Sequence, residues 1–151
     1  MIRVQEEDFD VGAELARVRG HNTAIGGIAL FVGTVRGEAE GEPVGAMTLE
    51  HYPAMTAREL ERIEADARAR WPLEDALIVH RVGRLEPGEQ IVLVITASAH
   101  RKAAFEACEF LMDWLKTKAP FWKREETPEG EHWVEARASD DAAAARWARK
   151  E

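Results

Sequence analysis

The sequence predicts an α+β fold, with helices packed on a mostly antiparallel sheet in a single domain spanning residues 1–151. Three observations carry that expectation. Strand-like and helix-like segments follow one another in mixed order rather than in strict alternation. Two apolar runs, residues 76–82 and 90–98, flank Glu86-Pro87-Gly88-Glu89, a turn signal that predicts a hairpin. A chain of 151 residues can bury roughly 68 to 70% of its unfolded surface, so a core forms without disulfides or metals.

Taken in order, residues 2–5 predict a short strand and 11–18 a helix with Leu15 and Val18 facing inward. Residues 24–35 are β-branched and Gly-rich, the pattern of a buried strand whose glycines admit close backbone approach. Residues 37–43 (GEAEGEP) are the most loop-like stretch, and 44–52 resume as a strand. Pro53 suits the first position of a helix running to about Trp71, where Met55, Leu60, Ile63 and Ala67 form an apolar stripe. Residues 100–118 predict the strongest helix, because Phe105, Cys108, Met112 and Leu115 recur at three- and four-residue spacing and Pro120 stops it. Two short strands, 121–126 and 132–136, surround Thr127-Pro128-Glu129-Gly130, and an Ala-rich helix follows Ser139. Trp114, Trp133 and Trp147 read as core or interface, and Trp147 in the last helix favours an interface.

Composition narrows the function. Twenty-eight acids against twenty bases give a net charge of −8, which argues against a general nucleic-acid binder. No apolar run approaches the ~18 residues of a membrane span. The acidic start Met-Ile-Arg-Val-Gln-Glu-Glu-Asp lacks the basic and apolar parts of an export signal, so a cytoplasmic location is expected. With Cys108 alone there is no internal disulfide, and the histidines show no metal-ligand spacing. No metal and no cofactor is expected. The sequence has no Walker loop, no GxGxxG and no nucleophile elbow, and Gly26 and Gly27 read as strand packing.

The charge is unevenly distributed. Residues 100–124 hold six cations and three acids, leaving fourteen cations against twenty-five acids elsewhere, a net of −11. A cationic island in an acidic protein points to a small anionic ligand. At the N-terminus of the predicted helix, Arg101 and Lys102 add positive charge to an end that already favours anions, at a cost of roughly 0.3 to 1 kcal/mol each, and for His100 and Arg101 together a bound anion is the preferred explanation. Lys102 is explained by pairing with Glu106, and Lys118 by capping. Lys116 borders the apolar stripe, where a lysine loses hydration and becomes reactive, with Asp113 as a surface partner in the alternative. In an extended segment Phe121, Lys123 and Glu125 share one face, so two lysines can converge across the Pro120 bend, and Arg36 ends a Gly-rich strand where sites gather. Arg101 and Lys116 stand about 22 Å apart along one helix, so one small ligand does not span them. Either two sites exist, or a second copy brings its helix start to the first copy's lysines; the expectation is a site at a two-fold dimer interface. Cys108, in mid-stripe, is expected to be a buried thiol rather than a nucleophile.

FVGTVR at residues 31–36, LEHYPAMT at 49–56, HRVG at 80–83, SAHRKAAFEAC at 98–108 and LKTKAPFWKRE at 115–125 together resemble the large, catalytic subunit of molybdopterin synthase. The similarity runs from about residue 24 to 147. It implies a hammerhead-type α+β fold and sulfur transfer in molybdenum cofactor biosynthesis. A small ubiquitin-like partner with a C-terminal Gly-Gly thiocarboxylate delivers two sulfurs to cyclic pyranopterin monophosphate, making the dithiolene of molybdopterin. The assembly implied is a heterotetramer around a homodimer of this subunit. Matched motif by motif, the basic pocket falls on Arg36, His100, Arg101, Lys116 and Lys123, lined by Phe31, Met112, Glu125 and Arg137. Thr34, Val35 and Arg124 lie inside the matched motifs and join the substrate-binding set. Lys116 takes the principal catalytic role and Lys123 assists. Sulfur arriving from the partner fits a chain without a catalytic cysteine. The rival reading is a non-catalytic dimeric module that docks a ubiquitin-like tail or a small anion; less favoured is phosphoryl or acyl transfer on a small anionic metabolite.

Overall fold

A computed structural model of the chain describes residues 1–39, 41–127, 130–134 and 138–148. In chain order the elements are β1 (Ile2–Gln5), α1 (Val11–Arg19), β2 (Gly27–Thr34), β3 (Glu38–Ala39), β4 (Glu42–Pro43) and β5 (Met47–His51). There follow α2 (Pro53–Arg70), β6 (Leu73–Arg81), β7 (Gly83–Leu85) and β8 (Gln90–Ser98). Last come α3 (Arg101–Thr117), β9 (Phe121–Thr127), β10 (Gly130–Val134) and α4 (Ala138–Ala145).

These strands build two four-stranded sheets, β1-β6-β8-β2 and β10-β9-β5-β7, and a short β3-β4 ribbon. The first is antiparallel except for β1, which lies parallel to β6; the second is antiparallel throughout. Helices pack on the sheets as an α+β fold requires, but the expected single sheet is divided in two. The 86–89 turn does lie between β6 and β8, which pair antiparallel, yet β7 intervenes before it and joins the second sheet, so the connection runs through both sheets.

Strand β8 (QIVLVITAS) is apolar on both faces because both faces are covered. Leu93, Ile95 and Ala97 join Leu77, Val79 and Phe9 beneath α1, while Val92 and Val94 face Leu60, Ile63, Cys108 and Leu111 from α2 and α3. Helix α1 starts where the Asp10 carboxylate accepts from the Ala13 N–H at 3.0 Å, and α2 starts on Pro53. In α2 the inward position expected of Met55 belongs to Thr56, fully buried, whose hydroxyl donates to the Tyr52 carbonyl at 2.9 Å; Met55 is exposed. The hydroxyl lets a polar residue occupy the core because it satisfies itself on the preceding turn.

In α3, Cys108 and Met112 are buried as expected and Leu115 packs against the core, but Phe105 is 64% exposed. The start of α3 rides over β2, with Arg101 Cα against Gly27, and β2 is the unpaired edge of its sheet. The apolar face of the helix therefore runs out past the sheet at Phe105. Trp147 packs edge-on against Trp71 and Phe110 of its own chain, at 5.6 and 5.7 Å, rather than standing out as an interface residue. The 37–43 stretch carries the β3-β4 ribbon. Of the turn at 127–130, residues 128 and 129 lie outside the described residues, as does the end of the strand expected over 132–136. No helix among the described residues is long and apolar enough to cross a membrane.

Candidate active site

A cavity of about 210 Å³ opens where the last turns of α3 meet β9 and the ends of β2, β6 and β8. Three features of the chain assemble it. Helix α3 ends with the Lys118 N–H donating to the Trp114 carbonyl at 2.8 Å, and the chain turns through Pro120 into β9. Strand β9 pairs with β5 in the register His51 to Phe121, Leu49 to Lys123 and Met47 to Glu125, which sends those three odd-numbered side chains of β9 to one face. Lys116 and Lys123 thereby line the same cavity, with Phe121 and Glu125 beside them. The end of β2 is tied to the 86–89 turn, the Val35 N–H donating to the Glu89 carbonyl at 2.9 Å and the Gly88 N–H to the Val35 carbonyl at 2.8 Å. That brings Arg36 to the cavity wall.

A smaller recess of about 90 Å³ shares Arg36, Lys116, Lys123 and Glu125 and adds Thr34 and Val35. The combined lining holds three cations against the acids Glu125, Glu38 and Asp140, over an apolar wall that includes Met112, Leu115, Ile91 and Val92. A surface of this kind grips an anion with side chains of high positive charge while keeping its inner wall dry.

His80 forms part of the wall. Its ring lies flat on Phe121, with centroids 3.9 Å apart and planes 11° from parallel. Its Nδ1 sits 2.7 Å from the Arg81 carbonyl, a contact that requires Nδ1 to carry the proton and donate. Burial is the main cause that pushes the His80 pKa down to about 4; the Arg81 carbonyl opposes it, and the positive charges of Lys123, Lys116 and His51 add to it. His80 is a neutral imidazole at neutral pH.

The expected site residues separate into groups. Arg36, Met112, Lys116, Lys123 and Glu125 converge on the cavity, with Thr34 and Val35 in the adjoining recess. Asp113 does not hold Lys116: it accepts from Trp147 Nε1 at 2.6 Å and from Arg146 at 3.0 Å. His100 and Arg101 are exposed at the opposite end of α3, where His100 is the N-cap residue and its side chain makes no capping bond. Phe31 is 41% exposed on the β2 edge, outside the cavity. Arg124 points to the other face of β9 and pairs with Glu50 at 2.7 Å and Glu131 at 3.3 Å, because alternation along a strand separates it from Lys123. Arg137 lies outside the described residues. Sequence reasoning passed over His80 and Asp140 as lining residues. For His80 the signal was the HRVG run itself; for Asp140 there was none, since only the packing of α4 on α3 brings it near.

Lys102 and Glu106 approach to 3.9 Å on the helix surface. Cys108 is buried and its thiol pushed up to about 11, chiefly by burial, so it is inert near neutrality. Among the described residues, no group of three His, Cys, Asp or Glu is placed to hold a metal ion.

The fold and site together define a two-sheet α+β domain with paired lysines and an arginine on one cavity backed by apolar side chains. The comparisons narrow the class to a family. The model of the family described as "MoaE protein" matches residues 4–118. Over 146 residues the chain is 58% identical to the molybdopterin synthase catalytic subunit of Pseudomonas aeruginosa, covering 97% of each chain. It is 56% identical to the same subunit of Ralstonia nicotianae, covering 97% of this chain and 83% of the relative. Among solved structures, the molybdopterin biosynthesis MoaE protein from Burkholderia ambifaria superposes with a TM-score of 0.83 at 58% identity, over 97% of both chains. The chain belongs to the MoaE family, that of the molybdopterin synthase catalytic subunits.

Proposed function

We propose that this chain is the catalytic subunit of a cytoplasmic molybdopterin synthase. It transfers sulfur from the C-terminal thiocarboxylate of a small ubiquitin-like partner to cyclic pyranopterin monophosphate and builds the dithiolene. The observation that carries this reading is the convergence of Lys116, Lys123 and Arg36 on one cavity. The substrate brings a cyclic phosphate and a flat pterin; Arg36 and the lysines offer charge to the phosphate oxygens as that ring opens, and the apolar wall takes the pterin. The partner's thiocarboxylate sulfur bonds to a substrate carbon as a carbon–oxygen bond there breaks, the oxygen leaving with the opened phosphate ring at one carbon and as water at the other. Water then cleaves each resulting thioester, leaving sulfur on the pterin and a carboxylate on the partner. Lys116 moves protons in these steps and Lys123 assists at the same surface.

A homodimer core for the heterotetramer follows from what one chain leaves unfinished. His100 and Arg101 carry ligand-type charge yet stand at the far end of α3 from the cavity, about 22 Å along the helix axis. Beside them lies the open β2 edge with Phe31 and Phe105 exposed on its α3 side, a surface suited to a second copy.

The decisive experiment mixes purified protein with the thiocarboxylated partner and the cyclic pterin. Lys116→Ala is expected to keep the complex while dithiolene formation falls by about 100-fold or more. Loss of partner affinity alone, with unchanged turnover of the complex that forms, would instead mark a docking module.

A further inference from the structure

Arg36 stands on the cavity wall, but the contacts that aim it lie outside the cavity. At the end of β2 the pairing with β8 steps from Gly33 opposite Val92 to Thr34 opposite Gln90, so Ile91 is bulged out of register, and it lines the cavity. A bulge bends a strand end and re-aims the side chains that follow. Just past it, Val35 is clamped to the 86–89 turn through both its N–H and its carbonyl, and Arg36 leaves the chain from that clamp. One side chain holds both the turn and the bulge. Arg81, at the end of β6, is only 7% exposed. Its Nη1 donates to the Gln90 carbonyl at 3.0 Å and lies 3.4 Å from a Glu89 carboxylate oxygen. Its Nε and Nη2 donate to the Glu6 carbonyl at 3.0 and 2.9 Å, which fastens the guanidinium to the segment after β1. The other Glu89 oxygen accepts the Glu86 N–H at 2.6 Å and closes the turn. The Gln90 side-chain amide is tied in its turn to Asp8 and to the Phe9 carbonyl, each at 2.8 Å. A buried planar fork bonded on three sides keeps one geometry, which a flexible surface pair does not.

Resting on the reading of Arg36 as a grip on the substrate's phosphate, we propose that Arg81 is a positioning residue for Arg36: its guanidinium fixes the start of β8 and the 86–89 turn, and through the Val35 clamp it sets where the Arg36 charge meets the phosphate. Arg81 does not line the cavity or its adjoining recess and touches no reacting atom. Its work is to order the strand end before the ligand arrives, so that binding has less freedom to remove.

Two measurements on the full-length chain test it. Amide hydrogen exchange reads the clamp directly: in Arg81→Met the Val35 and Gly88 amides are expected to exchange at least about 10-fold faster, while Leu93 and Ile95 in the body of β8 change far less. Protection left intact at Val35 and Gly88 overturns the proposal, as does a loss spread evenly over all four amides, which marks a merely structural role. In the sulfur-transfer assay, Arg36→Ala and Arg81→Met are each expected to lower kcat/KM for the cyclic pterin about 10-fold, with part recovered in Arg81→Lys. The double variant is expected to lose no more than Arg36→Ala alone, because Arg81 acts only through Arg36. Losses that multiply in the double variant, or an Arg81→Met chain of full activity, also overturn it. If Arg81→Met does not fold, Glu89→Ala, at a more exposed side chain, carries both measurements with an expected change of about 3-fold. A wild-type chain that makes no dithiolene sinks the functional reading alone, and exchange at Val35 and Gly88 still decides the role of Arg81.

Discussion

At the scale of single residues, the chemistry was legible where charge broke a pattern and illegible where it kept one. Lys116, Lys123 and Arg36 stood out as cations against an acidic background, and they meet in one cavity. His80 sits in an apolar strand as a lone histidine, and nothing in its spacing separates a packed ring from a working one; stacking and a carbonyl partner do. Its burial has a thermodynamic consequence. The folded value near 4 lies below the ordinary 6.5, so the proton prefers the unfolded chain. The stability contributed by neutral His80 is complete above about pH 6.5 and drains away as the pH falls toward 4. Unfolding free energies from urea titrations at pH 7 and at pH 4.5 are expected to differ by a His80-dependent amount on the order of a few kcal/mol, and the His80→Phe pH dependence is expected to be flatter in that window.

Elements were legible in type more than in partnership. Every helix and most strands were readable from periodicity and turn residues, yet the division into two sheets was not, because a strand's sequence records whether its faces are covered and not which strand lies beside it. Phe105 shows the same limit: its spacing matches the buried stripe, but coverage ends with the sheet edge above which it sits. Gly26 and Gly27 were readable as packing glycines, and the structure supplies the reason. A Cβ on Gly26 would stand 2.0 Å from the Ala99 carbonyl oxygen, and one on Gly27 would stand 3.3 Å from Arg101 Cα. These two residues seat the beginning of α3, and with it His100 and Arg101, on the beginning of β2. Gly26→Ala forces backbone to move, and chemical denaturation is expected to show a loss of at least about 2 kcal/mol. A variant as stable as the parent would mean that this junction yields easily.

For the whole molecule, the meeting of Lys116, Lys123 and Arg36 was foreseeable and the distance of His100 and Arg101 from them only half so. One chain gathers its lysines at one end of α3 and leaves His100 and Arg101 at the other, so the site as proposed needs two copies. Chains carrying Arg101→Ala are expected to be inactive alone, as are chains carrying Lys116→Ala, whereas a mixture allowed to exchange regains up to about a quarter of the parental activity, since each mixed dimer restores one intact site. Mass spectrometry confirming exchange without any regained turnover would remove the shared site. The seam between the sheets carries a last consequence. Lys123, Phe121 and Glu125 come from one sheet and His80, Ile91 and Val92 from the other, so a ligand seated there grips both. Its binding free energy is then shared across the joint, and by mass action it opposes any separation of the two sheets. Occupancy of the cavity is therefore expected to raise the melting temperature of the whole domain and not of one sheet alone.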